Sequence, residues 1–490
     1  VAQAEQMNSF DIIVIGGGPA GVLAALHARE LGARVALVER GRMGGTCTND
    51  GCVPARVLAR SARLAREAAQ FESFALTGEK PRIDFARLIE RAQATVYRIH
   101  EKKQLVSHLT DAGARVYENC GDARFLDSQR VLLADGTHLR GEKFIICAGG
   151  HARRIPFEGS AHALTYTDVW SLRELPASVI IVGGAATGCQ LASIFNAFGT
   201  RVTLLETRER ILGAEDVSVS VAIHSAFERN GIEVITRAEE ILGIRQHDQE
   251  FTLYWNQNAS EHTRTAEKIF LSVGWIGNLD ALHLDAAGVK TERGYVVVND
   301  YLQSSVENIF AAGDITGRMM LVQSAGYDGK IAAENAVLGI GNRYQHQIVP
   351  HGGFTDPEYA SVGLTEEKAR AQADCVVATV PYAALDRAVI DQHTDGFCKI
   401  IVARETHRVL GAHVVGEQAL ENIHLVAAGM NADVWIEQIA EMEIAYPTYC
   451  AAVGLAARQI AFELGVMPLT REWRALGKLP GAEWERAESE

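Results

Sequence analysis

The chain has 490 residues, 48% of them hydrophobic and 22% charged, with a net charge of −14 at pH 7. That size and composition fit a globular protein of two to four domains, and the acidic balance argues against a nucleic-acid surface, which needs clustered Lys and Arg. No apolar run reaches the length of a bilayer span, and the opening VAQAEQMNSF lacks the basic and apolar regions of a secretory signal, so no membrane association and a cytoplasmic location are expected.

Residues 10–15 (FDIIVI) read as a buried parallel strand, and they run into a G-x-G-x-x-G loop at Gly16, Gly18 and Gly21. An Ala/Leu-rich helix and a second strand, residues 35–38, follow and end at Glu39. In such a unit the first glycine makes the turn, the second lets backbone approach a pyrophosphate, and the third packs helix on strand. The helix N-terminus attracts the phosphates, and Glu39 stands where a carboxylate accepts from a ribose hydroxyl.

Cys47 and Cys52 come next, in GGTCTNDGCVP. Bridged cysteines need Cα atoms roughly 4.4–6.8 Å apart. Five positions of regular helix rise about 7.5 Å. A bridge therefore needs a distorted helix start, which Gly51 and Pro54 allow. Two buried free thiols are the alternative. A helix N-terminus beside the pair would lower both thiol pKa values. The other six cysteines are scattered without zinc-type spacing and read as reduced core thiols, so no metal site is expected. The Arg- and Ala-rich stretch 56–70 reads as a solvated helix face.

Residues 179–182 open a second unit of the same grammar, with Gly183, Ala185 and Gly188 in the loop and a strand, 202–205, ending at Glu206. The offset from first glycine to carboxylate is the same in both units (16 to 39, 183 to 206). Ala185 replaces the middle glycine, and its methyl narrows the approach to a pyrophosphate. Glu206 favours NADH because a carboxylate repels a 2′-phosphate, while Arg208 and Arg210 nearby could soften that preference and leave NADPH open. Further along, His346 and His351 read as surface or core histidines. His413, His424 and Glu443 are weak candidates for a base.

These motifs resemble the FAD-dependent pyridine nucleotide–disulfide oxidoreductases, the family of dihydrolipoamide dehydrogenase, glutathione reductase and mercuric reductase, over roughly residues 8 to 465. GGTCTNDGCVP resembles its redox-active segment, and residues 144–150 (FIICAGG) resemble its second flavin motif, with Gly149 in place of the usual threonine. Residues 308–314 (NIFAAGD) resemble the third, and 354–366 resemble the start of the dimerisation domain. The resemblance implies an α/β fold with two Rossmann-like dinucleotide-binding domains and a C-terminal α+β dimerisation domain. The boundaries expected are 1–155 with 280–349 for FAD, 156–279 for NAD(P), 350–466 for the interface, and a C-terminal extension at 467–490. It implies that NAD(P)H reduces FAD, that Cys52 takes the electrons from flavin, and that Cys47 is the interchange thiol. It places cofactor contacts at Thr46, Arg56, Gly150, Gly274, Gln190 and Asp314. It also implies a homodimer in which Tyr446 faces Cys47 of the partner.

The departures from the family pattern carry as much information. Where the family has a histidine ahead of Pro-Thr and a glutamate five residues on, this chain has Tyr446 and Ala451. A tyrosine with pKa near 10 is only about one part in a thousand ionised at pH 7, and losing a positioned acid–base group costs about 10²–10⁴ in rate. Dihydrolipoamide should therefore be a poor substrate. An acceptor that leaves no thiolate to protonate would suffer less. Mercuric reductases resemble the chain in carrying tyrosine here, but they bring a C-terminal cysteine pair, and this sequence ends in GAEWERAESE. Cys450 is the only thiol near the motif. The usual Lys–Glu pair near the flavin becomes Arg56 and Gln190, which would leave Arg56 without a neutralising carboxylate. Ala186 stands where some relatives place a bulky gate over the nicotinamide pocket. Three functions follow: a reductase of a thiophilic metal or other unusual acceptor, an atypical dihydrolipoamide dehydrogenase, or a flavin-level diaphorase, quinone reductase or low-turnover sensor.

Overall fold

The computed structural model describes residues 8–345 and 348–466. His346 and the extension from 467 onward lie outside them. Three sheets organise the chain. In the first, strands run in the order Arg115–Tyr117, Val35–Val38, Ser9–Ile15, His138–Ile146, Arg130–Leu132, Arg124–Asp127, and Ile309–Ala311 adds in parallel to the end of His138–Ile146. Its central strands are parallel and buried at their carboxyl ends, with Ile15 level with both Val38 and Ile146. Their carboxyl ends therefore finish together. That edge is where an open parallel sheet binds its ligand.

The second sheet is parallel, in the order Glu233–Ile235, Arg201–Leu205, Ser178–Val182, Lys268–Leu271. An antiparallel meander, Glu240–His247, Glu250–Gln257 and Ser260–Ala266, lies beside it. The third sheet is antiparallel, in the order His351–Gly353, Tyr359–Gly363, Val409–Val415, Phe397–Ala403, Cys375–Pro381, and it buries a core with helices Ala419–Asn431 and Ala451–Leu464.

Two contacts hold the site's scaffold. Helix Val322–Leu338 packs on helix Pro19–Glu30 so closely that a Cβ at Gly329 would lie 2.2 Å from the Ala20 carbonyl oxygen. A buried charge cluster joins the second and third sheets. Lys399 Nζ reaches Asp216 Oδ1 at 2.9 Å and Glu366 Oε2 at 2.5 Å, and Asp216 caps helix Val217–Arg229.

Candidate active site

The two glycine loops are built alike. Gly16 and Gly183 have φ of +111° and +109°, a conformation that glycine alone adopts without strain. Gly21 and Gly188 each press against the preceding turn, where a Cβ would stand 1.8 Å from the oxygen of Gly16 or Gly183. Glu39 accepts from the N–H of Gly17 and Gly41, at 2.6 and 2.8 Å. Glu206 repeats this with Gly184 and Arg208, at 2.7 and 2.8 Å. The middle position is extended in both loops, with φ −75° at Gly18 and −82° at Ala185. Glycine is not required there by backbone angle. Closeness to the redox segment sets it apart at Gly18, where a Cβ on Gly45 would fall 2.7 Å from the Gly18 Cα.

The cysteine segment is two helices with a break. Gly45–Asn49 carries Cys47, and Cys52 is the first residue of Cys52–Ala68. At Gly51 the chain leaves helical angles (φ −109°, ψ −111°), while the Thr46 carbonyl accepts from both Asp50 and Gly51 N–H. A Cβ at Gly51 would lie 3.3 Å from the Cys47 Cα, so the glycine lets the two cysteines approach. Both are free thiols, Cys47 half-buried and Cys52 exposed. They are hydrogen-bonded to each other. This bond and burial raise the Cys47 pKa, and the same bond lowers that of Cys52 to about 7. The expectation that both thiols are acidified holds for Cys52 and is corrected for Cys47, whose pKa is raised.

Neighbouring side chains grip the loop between the cysteines. Trp170 donates to the Asp50 carbonyl at 2.8 Å, His100 Nε2 lies 2.7 Å from Asn49 Oδ1, and Lys103 donates to Thr48 Oγ1 at 3.2 Å. Nothing in the sequence spacing marked these three. Asp314 follows Gly313, whose amide donates to the buried Asp328 carboxylate at 3.3 Å. Burial, with the Asp328 charge adding, raises the Asp314 carboxyl to about 6, and Asp314 in turn acts electrostatically on Cys52. The first glycine loop, Glu39, the cysteine segment and Asp314 thus gather at one sheet edge. The loop that a Cβ would fill and the half-buried Asp314 fit a dinucleotide with a ring system beside Cys52.

Arg56 and Gln190 do not pair. Arg56 Nη1 is 3.1 Å from Glu358 Oε1, with its guanidinium 4.2 Å above the Phe354 ring, whereas Gln190 accepts from the Phe354 amide at 3.2 Å. The reading of Arg56 as an uncompensated charge is corrected, because Glu358 neutralises it. The 56–70 stretch is corrected in part. Arg63 pairs with Glu417 at 2.6 Å and Arg66 with Asp356 at 2.8 Å, so this face, still solvated at Arg60, also docks on the third-sheet unit. Glu358 was visible in the sequence motif, but only its fold neighbours show its partner.

Tyr446 is 64% exposed, and its hydroxyl donates to Asp386 Oδ2 at 2.6 Å. Cys450 Sγ donates to Asn422 Oδ1 at 3.1 Å. His413 is buried between Ser361 Oγ and the Leu364 carbonyl, His351 pairs with Glu215, and His424 bonds the Leu420 carbonyl. All three have structural partners, and Glu443 is exposed. Arg210 spends its guanidinium on the Glu215 and Gly213 carbonyls. Gly274 is exposed at φ +120°, and its carbonyl accepts from Arg153 N–H. Among the described residues no helix is long and apolar enough to cross a membrane, and no group of three His, Cys, Asp or Glu side chains could hold a metal ion.

Residues 10–329 match the pyridine nucleotide-disulphide oxidoreductase family, and residues 349–457 match its dimerisation domain. The chain is 32% identical over 469 residues to a dihydrolipoyl dehydrogenase of Geobacillus stearothermophilus, covering 94% of this chain and 98% of that one. It is 31% identical over 468 residues to a mercuric reductase of Staphylococcus aureus, covering 94% and 84%. Among solved structures it resembles the HOCl-induced flavoprotein disulfide reductase RclA of Escherichia coli, with a TM-score of 0.82, 28% identity, and coverage of 92% of this chain and all of that one. A Cu(II) complex of RclA superposes with the same score. With its glycine loops, cysteine pair and matched length, the chain belongs to the pyridine nucleotide-disulphide oxidoreductases and is a flavoprotein oxidoreductase using FAD and NAD(P)H.

Proposed function

We propose that this enzyme takes electrons from NADH and passes them through FAD and the Cys47–Cys52 pair to an acceptor that leaves no thiolate needing a proton, a thiophilic metal ion being the best fit. FAD supplies the hydride acceptor and the two-electron link to sulfur. The rest belongs to this chain's residues. Disulfide reduction breaks the S–S bond, takes two electrons and one proton, and leaves the proton on Cys47 and the charge on Cys52. Reoxidation returns both electrons to the acceptor and releases that proton.

The observation that carries the reading is the asymmetric thiol pair with no histidine partner in the terminal motif. Tyr446 is committed as a donor to the Asp386 carboxylate. It therefore cannot supply the strong base that a dithiol substrate needs. A metal ion held by thiolates needs no such base. The Cu(II) complex of RclA and the mercuric reductase relative support a metal acceptor. Glu206, held beside the second loop, and the occupied Arg210 support NADH over NADPH. The exposed Tyr446 and the dimerisation domain support a homodimer that completes the site. Steady-state assays with NADH and mercuric ion, Cu(II), a quinone, or lipoamide in either redox state test the choice. Rates on dihydrolipoamide equal to those of a histidine-bearing dehydrogenase would overturn it. Quinone reduction faster than metal reduction in the wild type, and undiminished in a Cys47→Ser variant, would favour the diaphorase reading instead.

A further inference from the structure

One buried donor near the redox centre makes no hydrogen bond of ordinary geometry, the Asp314 carboxylate being the protein acceptor in its reach. Trp275 Nε1 is shielded from solvent and makes no hydrogen bond, whereas a buried indole N–H normally finds a partner. The Trp275 ring stacks on Tyr166, with centroids 5.6 Å apart and planes 30° from parallel. Both rings converge on the redox centre. The Trp275 N–H is close enough to Asp314 to stabilise its carboxylate, and the Tyr166 hydroxyl feels the charges of Asp50, Asp314 and Cys52.

The backbone fixes this placement. Trp275 begins strand Trp275–Gly277, antiparallel to Gly150–Ala152, and its carbonyl accepts from Tyr295 Oη at 2.5 Å. The indole lies over Gly150, where a Cβ would stand 2.3 Å from Nε1. Three residues earlier, the Ser272 carbonyl oxygen closes on the second glycine loop, 2.3 Å from the position of a Gly183 Cβ. The segment from Ser272 to Gly277 therefore joins the second glycine loop to strand Gly150–Ala152, with an aromatic pair at that end.

We propose that the Tyr166–Trp275 stack covers the flavin site and that Trp275 Nε1–H donates a hydrogen bond to bound FAD. The inference rests on the FAD-dependent reading above. Isoalloxazine offers carbonyl oxygens and ring nitrogens as acceptors, and its flat face suits aromatic packing. Tyr166 supports the indole from behind and holds its donor in place. Gly150 is the one residue type that leaves room for it.

Apoprotein titrated with FAD, followed by tryptophan and flavin emission, tests this directly. In the wild type, binding should quench both signals. Trp275→Phe keeps a ring but removes the donor, and it should weaken FAD binding about 5–30-fold and brighten the bound flavin. Tyr166→Leu leaves the indole intact and serves if Trp275→Phe does not fold; it too should brighten the bound flavin. Wild-type affinity together with unchanged flavin emission in Trp275→Phe, or unchanged emission in Tyr166→Leu, would overturn the cover. A wild-type protein that binds no FAD would overturn the functional reading itself, so the two failures are distinct.

Discussion

Gly45 and Gly18 touch across the first glycine loop. A Cβ on Gly45 would stand 2.7 Å from the Gly18 Cα, and Gly45 itself has φ +65°. The loop that approaches a pyrophosphate and the segment that carries the thiols are therefore one packed unit. Gly45→Ala adds both a clash and left-handed strain of about 1–3 kcal/mol. It should lower FAD retention and slow cysteine alkylation together, as measured by bound flavin absorbance and iodoacetamide kinetics.

The thiol pair has a defined pH response. Cys52, held near 7 by the hydrogen bond from Cys47, should gain alkylation rate as pH rises through about 7 in the reduced enzyme. Cys47→Ala removes that bond, so the Cys52 titration should move upward. An unchanged profile would show that the Cys47 proton does not stabilise the Cys52 charge.

Restoring the lost acid–base pair should restore its chemistry. Tyr446→His with Ala451→Glu should raise dihydrolipoamide oxidation by at least about tenfold, within the 10²–10⁴ ceiling of positioned acid–base help. Tyr446→Phe alone removes an exposed hydrogen bond to Asp386 and should cost less than about 1 kcal/mol of stability by chemical denaturation.

The charge cluster between the second and third sheets should dominate acid stability. Lys399 and Asp216 are 6% and 2% exposed. Burial opposes ionisation of Asp216, yet bonds from Ser218, the Glu366 amide and Lys399 hold it below the usual carboxylate range. The Lys399 hydrogen bond does the same for Glu366. Both depressed groups stabilise the fold above the unfolded carboxylate pKa of about 4, and that share is lost as pH falls through their folded values. Lys399→Met leaves the buried Asp216 carboxylate without its lysine partner, while Glu366 keeps Arg370, and should cost about 3 kcal/mol at pH 7. Denaturant midpoints at pH 7 and pH 3 should show a smaller gap in the variant than in the wild type.

Reductant choice should follow Glu206. NADH should exceed NADPH by about tenfold or more in kcat/KM, since one charge repulsion worth about 1.4 kcal/mol suffices. Glu206→Ala should narrow that ratio.

The glycine loops were legible in the sequence because their spacing and flanking apolar runs are local, and both strands end where the carboxylates Glu39 and Glu206 begin to bond loop amides. The cysteine segment was legible for the same reason, down to the break at Gly51. What escaped is long-range. Arg56 finds Glu358 some 300 positions away, Trp170 reaches back to Asp50, and Tyr446 meets Asp386 from another element. Such partners are set by how separate units pack, and no periodicity announces them. The polarity of the thiol pair was half legible: a helix start predicted acidity, but only the Cys47–Cys52 contact sets the two pKa shifts in opposite directions.

Anaerobic titration with NADH tests the relay most directly. The wild type should consume one equivalent per subunit more than Cys47→Ser before free NADH accumulates, because the disulfide takes a second electron pair. Equal uptake by the two proteins would mean that the cysteines are not in the electron path.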